Sequence, residues 1–214
     1  MGVLYFWFLG RVTQAEYEGL CVPVKECLEK CDLQPDQEKI LAAWKRSAPL
    51  SLQEQLAQEE DVGGWKIPLS HLMHNLFLPE PFHDFAWEHI LTTGTPFLYK
   101  ADSRDFKMVG LRQGSPAAVF AFAIGFERFQ TLPGRSFCFC LSPQEVVLLR
   151  QQVDAFFVDP IEQQAMRARE LACLRGADPG VDEELDEMLS TFPSLLAAAE
   201  EEGHGLISFE FHVC

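Results

Sequence analysis

The sequence is poor in basic residues, and no motif in it assigns a reaction by itself. Its 214 residues include 17 lysines and arginines but 32 aspartates and glutamates, which gives a formal net charge of −15. The longest basic grouping is Lys45-Arg46. Because nucleic acids and anionic membrane surfaces are bound through basic patches, we expect neither of them as a partner.

The motifs of common catalytic and cofactor sites are also missing. The glycine-rich phosphate loops G-x-G-x-x-G and G-x-x-x-x-G-K-S/T do not occur, and neither does the zinc-protease motif H-E-x-x-H. Seven cysteines in a chain of this length indicate reduced thiols, and the spacing of Cys21, Cys27 and Cys31 is not that of a structural zinc site. We therefore predict no catalytic residues and no cofactor.

The apolar run at residues 3–9 is far shorter than the ~20 residues that a membrane-spanning helix needs. No basic flank precedes it, no small-residue cleavage site follows it, and Phe6 stands where a myristoylation signal has Ser or Thr. We expect a cytoplasmic protein. The run is rich in aromatic residues and ends at Gly10, which predicts a strand covered on both faces.

Several helix starts follow from local spacing. Thr13-Gln-Ala-Glu16, Ser51-Leu-Gln-Glu54 and Ser142-Pro-Gln-Glu145 each place a glutamate three residues after a hydroxyl side chain, which is the pattern of a capping box. Asp159-Pro160 predicts the start of another helix. We expect Pro23 to break or kink the helix that starts after Thr13, so that residues 24–31 form a separate turn of helix.

Strands are predicted near both ends of the chain. Residues 136–140 alternate and predict a strand, and residues 207–213 predict a last strand covered on one face, with Ser208 and Glu210 on the other. Helices separate these strands. We therefore expect one α+β domain over residues 1–214, with a mixed sheet that includes the N- and C-terminal strands and packs against several helices.

The middle of the chain is harder to interpret. Residues 67–78 and 82–91 look helical, and residues 97–100 and 106–111 could form a hairpin. Residues 117–122 alternate Ala with Phe, which fits a strand as well as the helix that we favour.

The order of features resembles that of a known family. A Met1-Gly2 start runs into an apolar strand, and Trp65 and residues 71–78 lie in a helical middle. Leu141-Ser-Pro-Gln-Glu-Val146 opens a long helix, and an acidic helix turns through Gly203-His-Gly205 into the last strand. In these features the chain resembles the YfbM-like family, small bacterial proteins classed as a domain of unknown function.

The resemblance implies a single α+β domain in a bacterial cytoplasm, with no known catalytic residues to carry over. This chain is longer than we expect for the family, which implies an insertion around residues 80–135. Such domains also occur beside secreted toxins as candidate immunity proteins, and the resemblance therefore implies a protein partner.

A group of histidines is the best candidate for a metal site. His71 and His74 would share one face of a helix, and His83 and His89 follow closely. Zinc and iron accept imidazole ligands, so a small metal-dependent hydrolase is an alternative function. The simpler interpretation is that these are ordinary histidines of an apolar helical pair.

A cysteine nucleophile is a further alternative. Cys138 and Cys140 share one face of a predicted strand, and any of six histidines could serve as the base. Cysteine is also among the residue types most often buried, and the phenylalanines at the alternate positions favour a packed sheet.

The acidic charge is concentrated towards the C-terminus. Residues 159–214 hold 13 aspartates and glutamates against 3 arginines, a net charge of −10. Much of it falls on predicted helices at residues 182–189 and 193–202. The candidate partner-binding residues are Asp182, Glu183, Glu184, Asp186, Glu187, Glu200, Glu201 and Glu202.

A charge run of this kind is usually a solvated helix face, but it can also steer and orient a basic protein partner. We expect a non-enzymatic protein-binding module, most concretely an immunity-type protein that neutralises a basic bacterial toxin through its acidic surface. A third hypothesis is a housekeeping protein that forms homo-oligomers through its aromatic middle segment.

Overall fold

The apolar run near the N-terminus forms a strand, β1 (Leu4–Val12), that pairs with another strand on each of its edges. The structure is a computed structural model that describes residues 4–30, 35–69, 106–112, 114–134, 138–177 and 187–213. The described elements after β1 are, in chain order, α1 (Gln14–Glu16), a π-helical turn (Tyr17–Cys21), α2 (Val22–Lys30), α3 (Pro35–Ser47), α4 (Leu52–Leu56), β2 (Glu59–Val62), β3 (Trp65–Pro68), β4 (Phe106–Arg112), α5 (Pro116–Ile124), α6 (Phe126–Phe129), β5 (Phe139–Leu141), α7 (Pro143–Phe156), α8 (Pro160–Ala177), α9 (Glu187–Glu202) and β6 (Gly205–Val213).

The main sheet pairs the first described strand with the last. Its order is β4-β1-β6-β5, and β1 pairs with β6 from Leu4 opposite Val213 to Val12 opposite Gly205. The predicted α+β class, with both of these strands in one sheet, is confirmed. A mixed sheet is expected from the sequence, whereas each described pairing in this sheet is antiparallel.

Both faces of β6 are covered over residues 205–210, so the prediction of a half-covered last strand is wrong there. Ser208 and Glu210 are only 1% and 2% exposed. Ser208 Oγ accepts a hydrogen bond of 2.9 Å from the indole Nε1 of Trp7. Residues of α5 and α9 pack around Trp7 in the main hydrophobic cluster. The alternation in β6 therefore separates two buried faces instead of a buried face and a solvated one.

The opposite face of the sheet is covered by α2. The rings of Phe8 and Phe209 stack there, with centroids 4.9 Å apart. Val24 and Leu28 of α2 belong to the same buried cluster. The prediction that β1 is covered on both faces is confirmed from Trp7 onwards.

The three predicted capping boxes are present, before α1, α4 and α7. In each box the N-cap hydroxyl accepts a hydrogen bond from a backbone N–H, and the glutamate three residues later accepts one from the N-cap backbone. At the start of α8, Asp159 Oδ1 accepts a hydrogen bond of 2.8 Å from the backbone N–H of Ile161. These helix starts are therefore set by short stretches of sequence.

Two prolines lie within helical segments, whereas the sequence predicts a break or kink at Pro23 and a helix start at Pro193. Pro23 is the second residue of α2, which continues from the π-helical turn without a break. The π-helical turn directly before Pro23 departs from regular α-helical hydrogen bonding, which a proline at this position would disrupt. Pro193 lies inside α9, next to the fully buried Phe192. Burial of the apolar side chains of α9 offsets the cost of about 3 kcal/mol that a proline imposes on a helix interior.

The helix predicted from residue 67 is wrong at its start, because Ile67 and Pro68 end strand β3. β3 pairs with β2 in a hairpin that turns at Gly63-Gly64, where φ is 63° and 86°. These left-handed values favour glycine. Residues 70–105, which include the rest of this predicted helix, the helix at 82–91 and the strand at 97–100, lie outside the described residues.

Helix α5 lies deep in the core, and all nine of its residues are buried. The helix predicted at residues 117–122 is confirmed. Residues 106–134 supply β4, α5 and α6, so this part of the expected insertion at 80–135 builds the centre of the described fold. Within the described residues, no helix combines the length and the apolar character needed to cross a membrane.

Gly205 offers a test of how closely β6 and β5 approach. A Cβ at this position would lie 2.4 Å from the carbonyl oxygen of Leu141 and 2.9 Å from Cγ2 of Val12. We expect Gly205→Ala to lower the free energy of unfolding by about 2 kcal/mol, because the backbone must shift to relieve the overlap. Urea denaturation measures the change.

Gly19→Ala is the matched control, because a Cβ there would meet no atom within 4 Å. We expect it to leave the free energy of unfolding unchanged or to raise it by less than about 1 kcal/mol. Equal stability of the two variants would contradict the close strand approach.

Candidate functional site

The predicted partner-binding residues fall into two groups. Glu200, Glu201 and Glu202 form the C-terminal turn of α9, and Glu187 is the first residue of that helix. The remaining predicted residues, Asp182, Glu183, Glu184 and Asp186, lie outside the described residues.

Two carboxylates contact one guanidinium at the end of α9. Arg150, on the neighbouring α7, donates from Nε to both carboxylate oxygens of Asp154 at 2.8 Å. Its Nη1 donates to Glu200 Oε2 at 3.3 Å. The hydrogen bond to Asp154 is the largest cause of the raised pKa of Arg150, and the charges of Asp154, Glu200 and Glu201 add to it. Arg150 therefore pairs with two acidic groups, and Glu201 acts on it only through its charge.

Glu202 has a different cation. Arg11, on β1, has a buried side chain whose Nη1 lies 3.0 Å from Glu202 Oε1. The same nitrogen donates to the carbonyl oxygen of Ala198 at 3.1 Å. This arginine therefore ties the C-terminal turn of α9 to the central strand, and Glu202 has a structural role as well as a charge.

The surface remains negative after these pairings. We call it the acidic helix end, and it consists of Asp154, Glu200, Glu201 and Glu202 together with Arg11 and Arg150. Four carboxylates against two guanidiniums leave two negative charges, and the imidazole Nδ1 of His204 lies 3.8 Å from Glu202 Oε2. The negative charges lie where the helix dipole is also negative, and the last turn of α9 contains no basic residue.

Sequence reasoning identified these glutamates but missed both arginines. Arg150 lies 50 residues before Glu200 in the chain, and Arg11 lies still further from Glu202. Short-range charge patterning gives no signal for either pairing.

A second candidate site is a cavity of about 320 Å³ between α2, β5 and the start of α7. We call it the α2–β5 cavity. Lys25 and Glu145 line it, and Lys25 Nζ lies 2.6 Å from Glu145 Oε1. Glu145 is also the glutamate of the capping box that starts α7. Sequence analysis did not single out this cavity, because Lys25 and Glu145 are 120 residues apart.

The ion pair in the cavity holds both of its groups in their charged forms. The hydrogen bond to Glu145 is the main cause that raises the pKa of Lys25. Burial would raise the pKa of Glu145, but hydrogen bonds from Lys25 and Ser142 outweigh it and lower that pKa. A general acid or base needs a pKa near the working pH. This pair is therefore suited to binding and not to proton transfer.

The candidate thiols are packed into the core. Cys138 and Cys140 are buried with Cys21 in the cluster on the α2 side of the sheet. Burial is the main cause that raises the pKa of Cys140 well above its usual value, and a hydrogen bond with Cys21 adds to it. A thiol with a raised pKa is a poor nucleophile at neutral pH. The geometry favours the packed-sheet interpretation.

The four candidate metal-binding histidines, His71, His74, His83 and His89, lie outside the described residues. In the part of the chain that the structure describes, no three histidine, cysteine, aspartate or glutamate side chains are grouped to hold a metal ion. The metal-dependent hydrolase stays a prediction.

The carboxyl group of Glu210 is buried, whereas the sequence pattern predicts that it lies on the solvent face. Its Oε2 accepts hydrogen bonds from Ser115 Oγ at 2.6 Å and from the backbone N–H of Ala117 at 3.3 Å, at the start of α5. No described residue hydrogen-bonds to its Oε1. Burial raises the pKa of Glu210 to about 8. Ser115 and Glu210 are 95 residues apart, so no local pattern could show the contact.

This raised pKa predicts how stability changes with pH. The folded state holds the Glu210 proton up to about pH 8, whereas the unfolded chain releases it near the ordinary value of 4.5. The folded state therefore binds more protons over this interval, and its stability must fall as the pH rises from 4.5 to 8. We expect Glu210→Gln to make this fall shallower by up to about 1.4 kcal/mol per pH unit.

Urea denaturation at pH 5, 6, 7 and 8 measures the two slopes. Glu170, whose pKa burial raises to about 7, remains in both proteins, so the wild type and the variant share its contribution. Identical slopes would contradict a protonated Glu210.

No family model, curated protein or solved structure matches the chain. The YfbM-like assignment therefore stays a prediction, and the candidate sites are argued from their own residues.

Proposed function

We propose that the protein is a non-enzymatic binding module that docks a basic protein partner at the acidic helix end. The observation that carries the proposal is the run of three glutamates at the C-terminal end of α9. Two negative charges remain there after Arg11 and Arg150 are counted. Placing these charges at the negative end of a helix dipole costs the isolated protein stability.

A basic partner would reverse that cost. A lysine or arginine side chain placed at Glu201 would interact favourably both with the carboxylate and with the dipole of α9. Glu201 is exposed and makes no hydrogen bond or ion pair with a described residue. It is therefore available to a partner.

An exposed apolar side chain lies on the same helix as Arg150. Val147 lies one turn before Arg150 on α7 and is 37% exposed. Protein interfaces combine apolar contacts with a polar rim, and the charges mainly accelerate and orient the encounter.

The most concrete form of the proposal is an immunity-type protein that occludes the active site of a bacterial toxin. The concentration of acidic charge in residues 159–214 and the resemblance to the YfbM-like family support it. In this form the protein acts in the bacterial cytoplasm as a single domain.

Charge reversal tests the docking surface. Glu201→Lys should weaken binding to the product of the neighbouring gene by about tenfold, mainly through slower association that depends on salt. Co-expression and surface plasmon resonance at two salt concentrations measure it, and rescue of growth from the toxic product measures neutralisation.

Glu59→Lys is the matched control, because Glu59 is an exposed glutamate on β2 and its reversal changes the net charge by the same amount. We expect it to bind as the wild type does. No complex and no rescue with the wild-type protein would reject the proposed function, and equal loss in the two variants would reject the acidic helix end as its site.

A further inference from the structure

Exposed apolar side chains are grouped around α7. Among the described residues, four of the eight large apolar side chains that are exposed lie within residues 147–161. Leu148, Val158 and Ile161 are 67%, 76% and 77% exposed. Single exposed apolar residues are common on protein surfaces, but a group of them is typical of an interaction site. The exposed side of α7 is therefore a candidate interface.

The exposed side of α7 carries a stripe without charged residues. Leu148, Gln151 and Ala155 are exposed and follow one another at intervals of three and four residues. Residues at this spacing share one face of a helix. We call these three residues the α7 stripe, and it is about 11 Å long. Val158, two residues after the end of α7, follows it in the chain.

The α7 stripe has a negative edge. Asp154 precedes Ala155 on α7 and belongs to the acidic helix end, where Arg150 joins it to Glu200 of α9. Asp159, which follows Val158, is exposed as well. The exposed side of α7 therefore combines an uncharged centre with carboxylates beside it.

These properties select a basic helix of another protein as the occupant. A second copy of this chain would bring like carboxylates together, and each copy carries a net charge of −15. A stripe along a single helix matches the apolar stripe of a second helix, whose side chains fit between its own. Lysines and arginines beside that second stripe would complement the carboxylates.

We propose that the α7 stripe docks an amphipathic helix of the basic partner, with its apolar residues against Leu148 and Ala155 and its basic residues towards Asp154. This inference rests on the proposed function, and it names the part of the partner that packs beside the acidic helix end. The apolar contacts slow dissociation, whereas the charges accelerate association.

A synthetic peptide of leucines and lysines, about 18 residues long, is the probe. Its leucines recur every three or four residues and share one helix face. The control peptide has the same composition, with its leucines spread around the helix. We expect the amphipathic peptide to bind about tenfold more tightly and to shift the backbone amide resonances of Leu148, Gln151 and Ala155 in two-dimensional NMR. Equal binding of the two peptides, no binding of either, or shifts confined to other elements would overturn the proposal.

Leu148→Asn should weaken the binding of the amphipathic peptide by about tenfold, because the leucine side chain loses its apolar contact. Leu148 is 67% exposed, so the exchange removes little from the core. Leu50→Asn is the matched control, since Leu50 is an exposed leucine between α3 and α4. Equal affinity of the two variants would count against the α7 stripe.

Binding kinetics with the product of the neighbouring gene separate this inference from the proposed function. Leu148→Asn should speed dissociation without changing the dependence of association on salt, whereas Glu201→Lys should slow association. A complex that Glu201→Lys weakens and Leu148→Asn does not would overturn the docking at the α7 stripe and retain the proposed function. No complex would reject the proposed function, and the peptide experiment then decides whether the α7 stripe docks a basic helix.

Discussion

The pairing of β1 with β6 is the constraint on which the rest of the described structure depends. It aligns residues that are about 200 positions apart, and the contact of Trp7 with Ser208 spans 201 positions. Once these strands lie side by side, α5 and α9 pack on one face of the sheet and α2 on the other. The same pairing brings Arg11 of β1 to Glu202 of α9. The pairing of β1 with β6 therefore positions both the core and the acidic helix end.

Helix α7 connects the two candidate sites. Its first turn supplies Glu145 to the α2–β5 cavity, and its last turns supply Arg150 and Asp154 to the acidic helix end. At the acidic helix end, the structure neutralises part of the acidic charge internally and leaves Glu201 without such a partner among the described residues.

Sequence reasoning succeeded where a feature depends on a few consecutive residues. The capping boxes at Thr13, Ser51 and Ser142 were predictable because each needs only four residues and its own backbone. The strands at both ends were predictable from their apolar patterns. The position of Pro193 inside α9 was not, because tertiary burial overrides the local preference of proline.

The sites were predictable only in part, for the same reason. The glutamates at the end of α9 stand out as a run, but the arginines that compensate them come from other elements. The burial of Glu210 depends on Ser115, and the cavity depends on Lys25 meeting Glu145. Such contacts join residues 95 and 120 positions apart, and a pattern within one segment does not contain them.

Because β1 and β6 are far apart in the sequence, they are also synthesised at different times. A ribosome adds roughly 5–20 residues per second, so β6 follows β1 by about 10–40 s. During that time the aromatic strand β1 lacks at least one of its two neighbouring strands and could pair with the same strand of another nascent chain. Residues 1–158 have a net charge of only −5, and residues 159–214 add −10, so the repulsion between growing chains is strongest when the last helices are made. The acidic charge is therefore greatest just before β6 completes the sheet.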